Sequence, residues 1–295
     1  MALTINTNMS SLIVQKNLNA ATSMLNKSIE RMTTGYKINQ AADNAAGYSI
    51  ATTWKTQLGS LDVASDNAST GADMLTTLED TYSLITSHLQ RVRDLTEQAA
   101  NGTYGSDSLK AIASEITARL EEIDRISANC EFNGLKMMDG SLTDDINLQV
   151  GLYSDAASRI ALDASLFQNG HVSALFKTFG GVGGATVAEV AKLCSGYDGK
   201  QITGGQNEML NKIDAVISEI SARTTTLGAA QNRIESAVES INVQSENITS
   251  SLSTLRDADV AEESSNYIKA QILQQASATL LATANQTPSI ALNLL

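Results

Sequence analysis

The stretch LNKIDAVISEISARTTTLGAAQNRIESAVESINVQSENITSSLSTL, residues Leu210–Leu255, decides the fold. At alternating steps of three and four it carries Leu210, Ile213, Ile217, Ile220, Thr224, Leu227, Gln231, Ile234, Val238, Ile241, Ser245, Ile248, Leu252 and Leu255. Eleven of these fourteen are branched aliphatics, and the phase never slips. Side chains three and four apart share one helix face, so the alternation holds a single apolar stripe toward a partner. At a rise of about 1.5 Å per residue the stretch makes a helix about 70 Å long. Such a stripe cannot bury itself, so the chain must supply a second long helix.

The partner lies upstream. Leu61, Ala64, Ala68, Gly71, Leu75, Leu78, Tyr82, Ile85, Leu89 and Val92 repeat the alternation. Asn101-Gly102 is a natural stop. A further helix follows, with Leu109, Ile112, Ile116, Leu120, Ile123 and Ile126 on one face and Ser106 or Asp107 as its cap. Between 130 and 165 the period changes to two. Asn133-Gly134 and Asp139-Gly140 signal turns. Ile146, Leu148 and Val150 alternate with polar residues, as do Ile160 and Leu162, which predicts short strands. The two long helices should lie antiparallel with the 105–128 helix alongside, bringing residues 1–40 next to 260–295.

Composition excludes several classes. Aromatics are 4%, and one proline, Pro288, stands in 295 residues. Few large side chains fill a thick core, and almost nothing interrupts a helix. The fold class is therefore mainly α: a long antiparallel, coiled-coil-like bundle with a small β-hairpin region. A net charge of −12 with thinly spread cations argues against nucleic acid. No apolar run reaches the roughly 20 residues that span a bilayer, so no membrane insertion is expected. The N-terminus lacks a basic leader and an apolar core, so no cleaved secretory signal is expected. Cys130, Cys194, His88 and His171 match no zinc spacing, and no metal or cofactor is expected. Whether the two cysteines pair is left open by sequence. No catalytic constellation is visible.

The two ends are weaker than the middle. Val14, Leu18, Ala21, Leu25, Ser28 and Met32, with Ile29 beside them, make a thin heptad stripe, capped by Ser10 or Ser11. Such a helix is marginal alone. Residues 41–60 read as a small-residue connector. At the far end a helix over 260–284 places Ile268, Ile272, Leu273, Ala276, Leu280 and Ala284 near one side and should stop at Pro288. The chain closes on an uncharged apolar tail that includes Leu292, Leu294 and Leu295. Nine of nineteen glycines fall between Gly170 and Gly205, so residues 166–206 read as exposed and irregular, with only Val187–Leu193 helical.

Several blocks resemble bacterial flagellin. They are Leu3-Thr4-Ile5-Asn6-Thr7-Asn8, Ala41-Ala42-Asp43-Asn44-Ala45-Ala46-Gly47 and Gln90-Arg91-Val92-Arg93-Asp94-Leu95 with Asn101-Gly102-Thr103. Phe132-Asn133-Gly134, Asp139-Gly140, Leu148-Gln149-Val150-Gly151, Ala270-Gln271-Ile272-Leu273-Gln274-Gln275-Ala276 and Ala284-Asn285-Gln286 complete the set. The resemblance covers about 1–165 and 207–295 and fails in the glycine-rich middle. It implies a structural subunit of the flagellar filament, whose terminal helices pair into a coiled coil lining an inner tube. The chain then divides into 1–44 and 256–295 as the two halves of the inner-tube domain, with 45–165 and 207–255 as the rod domain. Residues 166–206 form a short variable segment.

Residues alone suggest a cytoplasmic protein; the resemblance replaces that with secretion to the extracellular flagellum. Implied partners are further copies of the chain, flagellar cap and hook-associated proteins, an export chaperone and the type III export apparatus. Self-assembly falls to Val14, Leu18, Leu25, Ile29, Met32, Ile268, Ile272, Leu273, Leu280, Leu292, Leu294 and Leu295. The resemblance also implies recognition by host Toll-like receptor 5 through Gln90, Arg91, Leu95, Ile112 and Glu115, with Leu95 as an apolar anchor. The hook–filament junction protein and a soluble helical adaptor are the competing readings. No enzymatic activity is expected.

Overall fold

A computed structural model describes residues 8–176, 186–198 and 206–292, the side chains of 287–292 excepted. The helices are α1 (Met9–Thr34), α2 (Ala45–Ala100), α3 (Ser106–Asn129), α4 (Val172–Leu175), α5 (Val187–Ser195), α6 (Gln206–Arg256) and α7 (Val260–Leu292). Four short strands, β1 (Glu131–Phe132), β2 (Leu135–Lys136), β3 (Ile146–Gln149) and β4 (Arg159–Leu162), fall between α3 and α4. Contacts divide the chain into one unit of Met1–Gly59 with Ser245–Leu295 and a second of Ser60–Gln244. These boundaries fall inside α2 and α6.

In the second unit the α2 stripe is buried throughout; on α6 Met209 and Val216 are buried where Leu210 and Ile217 were expected, and those two are half-buried. Leu61, Leu75, Leu78, Tyr82, Ile85, Leu89 and Val92 of α2 are at most 1% exposed, and so are Ile213, Val216, Ile220, Leu227 and Ile234 of α6. Burying each such side chain stabilises by about 1.5–3 kcal/mol. α2 and α6 run antiparallel: Gln231 donates to Glu79 at 2.9 Å, and Arg93 donates to Asp214 at 2.6 Å. α3 buries Leu109, Ile112, Ile116, Leu120 and Ile123. At its end Ser127, not Ile126, turns inward and donates its hydroxyl to the Met138 carbonyl at 2.9 Å. Gly105 occupies the cap position, without a side-chain bond from Ser106 or Asp107.

β1 and β2 form a hairpin closed by Asn133-Gly134, both at positive φ (49° and 83°). β3 and β4 pair antiparallel, Leu148 opposite Ile160. Leu148 is seated on α2 at Gly71, where any Cβ would overlap its side chain. That close approach is why a glycine stands in the α2 stripe.

The segment after β4 is a correction. Among its described residues, 166–206 is neither exposed nor irregular. Leu166, Phe167, Val172, Leu175, Phe176, Val190, Ala191 and Cys194 are all buried. The Tyr82 hydroxyl donates to the Leu166 carbonyl at 3.0 Å inside the core. α5 packs on α3 and opens with a reciprocal capping box between Thr186 and Glu189. The glycines Gly180, Gly181, Gly183, Gly184, Gly199, Gly204 and Gly205 lie outside the described residues.

In the first unit α2 begins at Ala45, so the expected 41–60 connector shrinks to 35–44. Asn44 is the reason: its side chain accepts from the Gly47 N–H at 3.0 Å and caps the helix. Asp43 fixes the connector to α1. Its carboxylate meets Lys27 at 2.8 Å and accepts from the Asn39 and Gln40 N–H groups. The Lys27 bond, then the two backbone donors, hold this carboxyl below its ordinary value. Where α1 and α6 end, Tyr36 bridges to Asp257, and the Arg256 guanidinium lies 4.0 Å above the Tyr36 ring.

Tyr82→Phe keeps the ring and removes the bond that anchors Leu166. The substitution should destabilise the second unit by about 1–2 kcal/mol in urea unfolding. An unchanged midpoint would mean that the bond contributes nothing to holding the segment.

Candidate functional site

α1 and α7 pair antiparallel, with Cα atoms of the two helices within 8 Å of one another along the seam. Four side-chain bonds set the register. Arg31 meets Glu263 at 2.7 Å, Gln274 donates to Thr22 at 3.2 Å, Ser11 donates to Asn285 at 2.8 Å, and Asn8 donates to the Ala284 carbonyl at 2.8 Å. This sets Leu25 across from Ala270 and Leu18 across from Ser277.

Asn8 serves both helices. It caps α1 by accepting from the Ser11 N–H at 3.1 Å, the role expected of Ser10 or Ser11. Its amide also reaches the carbonyl four residues before Pro288. Proline has no N–H to give that carbonyl, so a helix normally breaks there. With Asn8 supplying the donor, α7 does not stop at Pro288 as expected but continues to Leu292.

The seam is lined by small and polar side chains. On α7, Glu263, Ala270 and Ser277 are buried, at 6%, 0% and 8% exposure. Ala21 and Ser28 are their buried counterparts on α1. Val14, Leu18 and Leu25 are half-buried against it. The large aliphatics of α7 are elsewhere. Ile268, Ile272, Leu273 and Leu280 are 42–59% exposed. At about 100° per residue Ile268 and Ile272 stand nearly opposite Ala270, and Leu273 and Leu280 about a fifth of a turn to one side of it. On α1, Met9, Leu12, Ile13, Met24, Ile29 and Met32 are also exposed. An open groove on α7 is lined by Ser265, Ile268, Lys269, Ile272 and Leu273, and another on α1 by Leu12, Ile13, Gln15, Lys16 and Asn19. Expecting Ile268, Ile272 and Leu273 beside Ala284 on one face was therefore wrong: Ala284 is half-buried near the seam and the others face away. The side chains of Leu292, Leu294 and Leu295 lie outside the described residues.

In the second unit Arg91 on α2 meets Glu115 on α3 at 2.9 Å, with Arg119 3.9 Å from the same carboxylate. Gln90 is exposed beside them. Leu95 and Ile112 are not on this surface: they are 2% and 7% exposed. Leu95 is core packing, so the expected apolar anchor is absent. Cys130 and Cys194 are free and buried. Burial pushes the Cys194 thiol up to about 12. Such a thiol is inert at neutral pH. His171 meets Asp124 at 3.4 Å, and His88 has a buried Nδ1 without a hydrogen-bond partner. Among the described residues no three His, Cys, Asp or Glu side chains converge on a metal position, and no helix is long and apolar enough to cross a membrane.

The family model for the bacterial flagellin N-terminal helical region matches residues 5–143, and that for the C-terminal helical region matches residues 210–295. Flagellin of Bacillus subtilis is 33% identical over 309 aligned positions, covering 99% of both chains. The chain belongs to the bacterial flagellin family. Flagellin FlaB1 of Treponema pallidum is 30% identical over 296 positions, again covering 99% of each chain. Among solved structures, a putative flagellar hook-associated protein from Vibrio parahaemolyticus shares the fold. Its TM-score is 0.61 at 13% identity, over 73% of this chain and 100% of that one. The alignments to these two relatives run through the glycine-rich middle, whereas the family models leave 144–209 unmatched.

The Arg31–Glu263 pair tests the seam. The Glu263 side chain is 8% exposed and that of Arg31 28%. Glu263→Ala should cost about 3 kcal/mol, because it strands a desolvated cation, while Arg31→Met with Glu263→Leu should be nearly neutral. Thermal melting of α1–α7 helicity measures both. Equal losses would show that the pair itself supplies stability.

Proposed function

We propose that this chain is a filament subunit whose first unit is completed by other copies of itself. The single observation behind this reading is the inverted use of α7. Its small and polar residues face α1, while Ile268, Ile272, Leu273 and Leu280 are left in water. Clustered apolar surface of that kind marks an interaction site. On assembly, each such side chain removed from water contributes about 1.5–3 kcal/mol, which offsets the ordering of a thin helix pair. Val14, Leu18 and Leu25 act differently, holding α1 to α7. Ile29 and Met32 belong with the outward set.

The flagellin family membership makes the flagellar filament the polymer and motility its purpose. The same membership supports an extracellular destination, passage through the type III export apparatus with an export chaperone, and contacts with cap and hook-associated proteins. A weakly stabilised α1–α7 pair suits such passage, since it folds only where neighbours cover it. Two alternatives are weaker. The hook–filament junction reading has fold similarity at 13% identity, against full-length flagellins at 30–33%. A helical adaptor would have no use for outward aliphatics on both terminal helices.

Ile268→Ser with Ile272→Ser should leave the helical content of the monomer unchanged and abolish seeded growth of tubes, followed by light scattering. Deleting residues 1–30 or 270–295 should also abolish growth of tubes while the helices within residues 45–255 are kept. Tubes formed by either truncation would contradict the role given to the ends.

A second reading rests on the exposed Arg91–Glu115 pair, which offers a charge-assisted fork to a partner such as Toll-like receptor 5. Without Leu95 as an anchor the recognition is polar. Arg91→Ala monomer should lose most of its signal in a receptor reporter cell line; a full signal would remove Arg91 from the site.

A further inference from the structure

The chain sorts its methionines. In the second unit Met74, Met137, Met138 and Met209 are 4%, 0%, 0% and 3% exposed. In the first unit the described ones are all open: Met9 57%, Met24 50% and Met32 39%. All three lie on α1. Met9 and Met24 share the side that carries Leu12 and Ile13, and Met32 follows Ile29 on another. Leucine would supply the same apolar area without a reactive sulfur.

We propose that Met9, Met24 and Met32 form an oxidisable site at which a two-electron oxidant, hydrogen peroxide, switches the unassembled chain out of its assembly-competent form. The inference rests on the reading that other copies cover these faces. The thioether sulfur attacks one peroxide oxygen, the O–O bond breaks, and the sulfur keeps that oxygen as a sulfoxide. The peroxide is reduced to water, and no proton stays on sulfur. The flexible apolar side chain becomes a polar acceptor. Leu12 and Ile13 beside Met9 are apolar, so covering the face would take a strongly polar oxygen out of water, at a cost that the thioether does not carry. The four buried methionines are shielded, so the second unit keeps its fold while the assembly face is spoiled. Sulfoxide reductases, one for each epimer, reverse the change.

The test uses the purified full chain treated with hydrogen peroxide. Peptide mass mapping should show Met9, Met24 and Met32 gaining oxygen about tenfold faster than the four buried methionines. Seeded polymerisation should fall at least about tenfold and return after the two reductases act. The Met9→Leu, Met24→Leu, Met32→Leu triple variant, if helical and polymerising, should resist peroxide. Equal oxygen uptake by both groups overturns the site. Undiminished polymerisation of the oxidised chain, or equal inhibition of the triple variant, overturns the switch. Failure of the untreated chain to polymerise contradicts the assembly reading and removes the switch with it, while the mapping still decides the selectivity of the site.

Discussion

The α1–α7 seam permits close approach only because its side chains are small. Ala21 and Ser28 on one helix and Ala270 and Ser277 on the other leave room for the two backbones to near one another. The same smallness limits what the seam can contribute, since little apolar area leaves water. Specificity must then come from polar contacts: Arg31–Glu263, Gln274–Thr22, Ser11–Asn285 and Asn8 to the Ala284 carbonyl fix direction and register. A partly desolvated ion pair is better suited to choosing a register than to adding stability. The pair is well specified and weakly held.

The second unit solves the opposite problem. Its leucine and isoleucine stripes are consumed internally, with Leu75, Leu78, Ile85, Leu89, Ile116, Leu120 and Ile220 wholly buried. Even its polar core groups are matched, Tyr82 with Leu166 and Ser127 with Met138. Nothing comparable closes α1 and α7 among the described residues: Val14, Leu18 and Leu25 are only half-buried, and Met9, Leu12, Ile13, Ile268, Ile272 and Leu280 face water. On the proposed reading a subunit that stays single until it meets a growing end benefits from this division: the second unit is closed by its own core, and the first is completed by neighbouring copies.

Much of the fold was legible in sequence because Leu and Ile at steps of three and four admit one interpretation. Leu61–Val92 and Leu109–Ile123 face inward as their spacing predicts; on α6 Ile213, Ile220, Leu227, Ile234 and Ile241 do so, while Met209 and Val216 are buried in place of Leu210 and Ile217. The α7 face was misread because Ile268, Ile272, Leu273 and Leu280 make a plausible stripe, and hydrophobicity alone does not say whose partner a stripe seeks. The missed signal was the heptad of Ala270, Ser277 and Ala284, which matches the Ala21 and Ser28 of a thin α1. Glycine content likewise hid the Leu166, Phe167, Val172, Leu175 and Phe176 series, which packs in the core. Small residues at Ala45–Gly47 looked like a connector, yet alanine is a good helix former and Asn44 caps them. The continuation past Pro288 depends on a donor 280 positions earlier, which no local rule foresees.

A cryo-EM map of the assembled chain tests the central claim most directly. Ile268, Ile272 and Leu280, with Met9, Leu12 and Ile13, should be buried against neighbouring copies. Within each copy Arg31–Glu263 and Thr22–Gln274 should remain paired. A polymer that left those side chains in solvent, or that re-paired α1 with the aliphatic face of α7, would contradict it.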